Sequence, residues 1–234
     1  MTFGVDVRAA FRRGDSDAVV RMSEAELRRA REAADPAGEV EALYSLARVA
    51  ARNGDLLESE RLASAALGVA LDAGDRALEE RPRHVLAAVT RMSGDLSRAR
   101  GLYEASIELN QELGRPEAAN SEVHNLGFTE LGLGNVARAR ELFTASREAV
   151  FLHRWDAFLP YVCVAGAALA LAEGDPRRAA LLTGAADGAF EAIGQVPDPD
   201  DAAELNKIRT AVGTGFDADY ARGRTLDPRS AFAS

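Results

Sequence analysis

The 234 residues predict an all-α fold, a solenoid of antiparallel helix pairs with a 40-residue period. Three observations carry this. The pair Gly54-Asp55 returns every 40 residues as Gly94-Asp95, Gly134-Asn135 and Gly174-Asp175, with Gly14-Asp15 before them. A second set of glycines, Gly74, Gly114 and Gly194, with Arg154 in the fourth place, puts a turn every 20 residues. Between turns the apolar residues recur at three and four, as in Leu43, Leu46, Ala47 and Ala50, and no segment alternates as a strand would.

Each segment between turns predicts a helix of about 17 residues, near 25 Å long at about 1.5 Å per residue. In the Gly-Asp turn, Gly is expected to supply the left-handed conformation that ends one helix, and Asp or Asn to cap the amides that begin the next. Pro36, Pro116 and Pro176 stand where a first-turn proline is tolerated, whereas Pro82 and Pro160 lie deeper and predict a late start or a kink. The aligned columns extend beyond the glycines. Leu46, Leu86 and Leu126 share one, Ala47, Ala87, Gly127 and Ala167 the next, and Ala99, Ala139 and Ala179 another. Leu62, Leu102, Leu142 and Leu182, with Ala66, Ser106, Ser146 and Ala186, complete the expected core of the second helices.

A small residue, then Gly-Asp, then Ala, a large residue four on and a small one three after that reads here as Ala87, Gly94-Asp95, Ala99, Tyr103 and Ser106, and again as Gly127, Gly134-Asn135, Ala139, Phe143 and Ser146. This resembles the tetratricopeptide repeat, lengthened from its usual 34 residues. The longer form is similar to the tetratricopeptide region of LuxR-type ATPase regulators of the MalT and AfsR kind. The tail, "RRAALLTGAADGAFEAIG" and then "GFDADYARGRTLDPRSAFA", resembles the way such regulators end. The resemblance implies a right-handed superhelix over 1–194, about five helix pairs, closed by a helical cap and tail over 195–234. It carries over neither ATP hydrolysis nor DNA binding, because the chain has neither a phosphate-binding ATPase motif nor room for a helix-turn-helix.

Composition narrows the function. A net charge of −9 argues against nucleic acid as the main partner, since phosphate contacts need a field of cations. With no run of about eighteen apolar residues and charges near the N-terminus, no membrane association and a cytoplasmic location are expected. The single Cys163 excludes an intrachain disulfide and is expected in the core. Two dinucleotide-like stretches, Gly132-Leu-Gly134-Asn-Val-Ala137 and Gly213-Thr-Gly215-Phe-Asp-Ala218, follow helical pattern and read as turns. Hydrolase signatures are absent, so no enzyme activity and no cofactor are expected. In the acidic stretch "VPDPDDAAE", Asp198 is expected to cap a helix, Pro199 to open it and Asp201 to favour its positive end; the spacing of a calcium loop is missing. Trp155 is expected to plug a gap between helices.

What remains is a column. His84 and His124 lie 40 apart, with Tyr44 and Val164 in the same column, which in the repeat it resembles lies on the first helix and faces the concave surface. Neighbouring columns add Glu41, Arg81 and Tyr161, then Arg48 and Phe128, with Arg52 or Arg91 near a helix end. Each alone is an ordinary helix residue. Together Glu41, Tyr44, Arg48, Arg81, His84, Arg91, His124, Phe128 and Tyr161 are expected to line a groove of aromatic faces and cationic donors, suited to a protein segment or a small acidic ligand. The expected function is a non-catalytic binding or scaffold module, in keeping with a regulatory sensor domain. The alternatives are an enzyme or metal protein using His84 and His124, and self-assembly into a homo-oligomer through an open repeat end.

Overall fold

The computed structural model of the protein describes residues 3–233. Thirteen helices and one 3-10 turn follow one another, and among the described residues there is no strand. No helix among the described residues is long and apolar enough to cross a membrane. Two compact units divide between Arg115 and Pro116. The expected bounds 1–194 and 195–234 are not where the compact units part, and their outermost residues 1–2 and 234 lie outside the described residues.

The first unit holds α1 (Phe3–Arg12), α2 (Ser16–Glu32), α3 (Pro36–Arg52), α4 (Leu56–Asp72), α5 (Arg76–Met92) and α6 (Leu96–Glu112). Each packs on the next, and α3 also touches α1 and α5. The turn chemistry is as the sequence predicts. Gly54 takes φ of 81° to end α3, and Asp55 accepts a bond from the Glu58 amide at 3.0 Å to begin α4. Asp15, Asp95 and Asp175 cap their helices in the same way.

The second unit holds α7 (Pro116–Gly132), α8 (Val136–His153), the 3-10 turn Asp156–Phe158, α9 (Leu159–Ala172), α10 (Pro176–Ala192), α11 (Pro199–Val212), α12 (Asp217–Arg224) and α13 (Pro228–Ala231). Here α7 to α10 continue the repeat, while α11 packs on α9 and α10, and α12 and α13 pack on α10. The tail thus covers the last helices of the repeat, as a cap does. Close approach makes this contact. A Cβ at Gly223 would overlap the Leu181 carbonyl, and at Gly184 or Gly188 it would meet the backbone of Tyr220 or Arg224.

The core follows the columns. Ala99, Ala139 and Ala179 are fully buried, and the Phe143 ring fills the space a side chain at Gly127 would need. Details of the prolines, turns and caps bear on the expectations. Pro82 lies inside α5, which neither starts late nor ends there, whereas α9 does start late, with Pro160 in its first turn. Asn135 does not cap α8; its amide donates instead to Glu130 at 2.7 Å. Ala34 and Arg154 hold the left-handed turn positions with φ of 49° and 56°, where the other turns have glycine. Asp198 stands at the N-cap of α11, just before Pro199, but makes no side-chain cap bond.

Candidate functional site

The first unit holds six of the nine predicted residues, all on α3 and α5. Repeating by 40 brings α1, α3 and α5 side by side, so side chains one block apart meet. Glu41 of α3 pairs with Arg81 of α5 and receives a bond from Arg8 of α1 at 3.4 Å. The Arg48 and Arg52 guanidiniums lie 3.7 and 3.6 Å from the centre of the Phe11 ring. Tyr44 stands between Arg48 and Arg81, each 5.4 Å from its ring centre. The result is a ladder of alternating cations and rings, Arg52, Phe11, Arg48, Tyr44 and Arg81, ending at Glu41 and Arg8. Such contacts contribute about 0.5–2 kcal/mol each, more as water is excluded. Arg52 also donates to the Phe11 carbonyl at 2.9 Å and so ties α1 to α3.

The guanidiniums make this face cationic. Burial, together with the like charges of Arg8 and Arg115, lowers the Arg81 guanidinium to about 10, which leaves it charged at neutral pH. Glu41, paired with both Arg81 and Arg8, offsets part of that repulsion. His84 is half-buried on α5 of the same unit. Arg91 is not on an open face: it is 5% exposed, because it shares its column with the buried Ala51 and with Leu131, which packs on a core cluster.

The second unit treats the same column differently. His124 is 1% and Phe128 4% exposed, so neither lines an open groove. Their cover has two sources. Phe158 of the 3-10 turn stands 5.1 Å from the His124 ring, edge to face, and Phe128 and Phe143 complete the cage at 5.1 and 6.0 Å. On the polar side, Asp201 of α11 brings Oδ1 to 3.3 Å from His124 Nε2, a contact that an imidazole protonated at Nε2 donates. Among the described residues, His124 Nδ1 has no hydrogen-bond partner. Tyr161, half-buried on α9, rests against Phe158 and Phe190 at 5.2 and 5.1 Å.

Asp201 corrects the sequence reading of the acidic stretch. Its carboxyl does not merely favour a helix end. It is 4% exposed, and burial raises it from 3.8 to about 6, against the lowering effect of the His124 bond. Cys163 is buried as expected and pushed up to about 12 by that burial, which keeps it a thiol. Trp155 is half-buried, stacked on the exposed His153 at 4.9 Å and packed on Val150, Leu159 and Val162. Among the described residues, no group of three His, Cys, Asp or Glu side chains stands close enough to hold a metal ion.

Several members escaped the sequence reading. Arg8 lies 40 before Arg48, so counting one block further back reaches it. Phe11 falls in the column of Ala51 and Arg91, where nothing marks it as part of a cation ladder. Asp201 had only its acidic context.

Comparison with known proteins finds no family model that matches this chain and no curated protein that matches it. Among solved structures, BtubC (BKLC) from P. vanneervenii superposes with a TM-score of 0.61 at 19% identity, covering 93% of this chain and 91% of that chain. At that identity the likeness concerns the fold: the chain has the helical-repeat architecture, its helices packed neighbour to neighbour in each unit.

Proposed function

We propose that this chain is a non-catalytic binding module of the tetratricopeptide kind, and that the Arg8, Glu41, Tyr44, Arg48 and Arg81 face of its first unit receives an acidic protein segment or a small carboxylate. The ladder on α1, α3 and α5 is the observation that supports it. In a chain of net charge −9, four guanidiniums and two rings gather on one face, with Arg81 charged despite its burial. Guanidinium forks match carboxylates in pairs, and the rings hold the forks in place. The length of the repeat and the form of the tail support the finer reading, a sensor region of a regulator of the MalT kind acting in the cytoplasm.

Affinity capture from the native cell tests this, with the full-length chain beside an Arg48→Ala/Arg81→Ala variant. The expected result is a partner retained by the first and lost by the second, with retention weakening as salt rises. Equal capture by both chains would assign binding to another surface.

A further inference from the structure

The second unit carries a different surface, whose use does not depend on the ladder. α11 is a short amphipathic helix laid on other helices of the unit. Asp201, Leu205, Ile208 and Val212 stand at i, i+4, i+7 and i+11, one stripe of the helix. Leu205 and Ile208 are buried in the same cluster as Phe128, Phe143, Cys163 and Val164, with Val212 packed at its edge. At the head of the stripe, Asp201 reaches His124 on α7. The solvent side of α11 carries Asn206, Lys207 and Thr210, all exposed. This is the geometry of a helix seated in a groove, with aliphatic anchors and one polar contact setting its register.

The polar contact is ill matched to its place. A carboxylate is buried against one imidazole nitrogen at 3.3 Å, near two further acids, Asp198 and Asp200, on its own segment. The neighbouring helix α9 offers Tyr161 and Cys163 as its only titratable groups, α10 offers Arg177, Arg178, Asp187, paired with Arg209, and Glu191, paired with Arg224, and α7 adds Glu117, Glu122 and Glu130 to His124. None of these pairs is a cation on Asp201. A neutral amide makes the same bond to His124 without burying charge.

We propose that α11 is the resident occupant of a helix-binding face on α9 and α10, with His124 of α7 as its polar contact, and that a partner helix displaces it by presenting Asn or Gln at the place of Asp201 and aliphatic side chains four, seven and eleven residues on. The resident helix is seated by Leu205 and Ile208 and weakened by its own acid. A partner carrying the amide keeps the first and lacks the second.

The probe is a fluorescein-labelled peptide of residues 196–213 carrying Asp201→Asn, titrated by anisotropy into full-length chains at pH 7.5. The Leu205→Ala chain, whose resident helix is loosened, is expected to bind it at least tenfold tighter than wild type. The Asp201→Asn chain, whose resident helix is tightened, is expected to bind at least threefold weaker. A peptide with Leu205→Asp is expected to bind none of them. If Leu205→Ala loses its helical circular dichroism, Ile208→Val takes its place with a smaller gain expected. Equal affinity for all chains, or no capture by a folded loosened chain, overturns the proposal. Dimerisation of that chain without peptide capture also overturns it, in favour of exchange of α11 between copies.

Discussion

Replacing Asp201 by Asn removes one ionisable group and leaves an oxygen to face His124 at about the same place. In the folded chain burial holds the carboxyl at about 6, against 3.8 when exposed. A folded-state value above the unfolded one means that the native protein holds the proton more tightly. Asp201 therefore costs nothing below about pH 4, costs progressively more as pH rises toward 6, and costs its full amount above that. A difference of roughly two pKa units, at about 1.4 kcal/mol each, amounts to roughly 3 kcal/mol. For a domain of this size that corresponds to about 6–12 °C in Tm. Calorimetry of wild type and Asp201→Asn between pH 4 and 8 checks it. The variant is expected to melt higher by about that amount at pH 8, with the gap closing toward pH 4. A gap that does not change with pH, or a variant that melts lower at pH 8, would refute the reasoning, because the carboxylate would then be a stabilising partner of His124.

Other perturbations test the scaffold. Ala34→Gly is expected to stabilise by about 0.5–1 kcal/mol in urea unfolding, since φ of 49° suits glycine and disfavours a Cβ. Gly223→Ala is expected to destabilise by about 2 kcal/mol or more, because its new carbon must displace the Leu181 carbonyl; tryptophan fluorescence against urea reads the loss. Asp55→Ala is expected to cost about 1 kcal/mol through its lost cap, and Asn135→Ala less, since Asn135 bonds Glu130 rather than an amide of α8; paired chemical denaturation compares them.

Much of the scaffold was legible because its physics is local and repeated. A left-handed residue and a capping carboxylate every 40 positions leave a periodic trace, and small residues must recur wherever helices close on one another, as at Ala99, Ala139 and Ala179. The helix boundaries follow those marks, and the late start of α9 was written in Pro160. Half of the candidate face was legible for the same reason. Glu41, Tyr44, Arg48 and Arg81 meet in the first unit because positions one block apart on adjacent first helices are neighbours. Periodicity does not mark Arg91, whose column turns inward, or His124, whose column is covered by something outside the period.

That cover comes from Phe158 of the 3-10 turn and, on the polar side, from the tail. The partner of His124 is 77 residues away on a helix that belongs to no repeat, so no spacing announces it. The spacing of Gly184 and Gly188 by four was the one hint that another backbone would approach α10 closely. The amino-acid sequence by itself thus determined the helices, their turns and the columns, because each rests on conformational preference and on contacts that recur at a fixed interval. Tertiary structure alone decided which columns stay half-buried, as at Tyr44, Arg48 and Arg81, and which are buried, as at His124 under Phe158 and α11. Burial depends on what packs above a residue, and here that is set by long-range contacts made once.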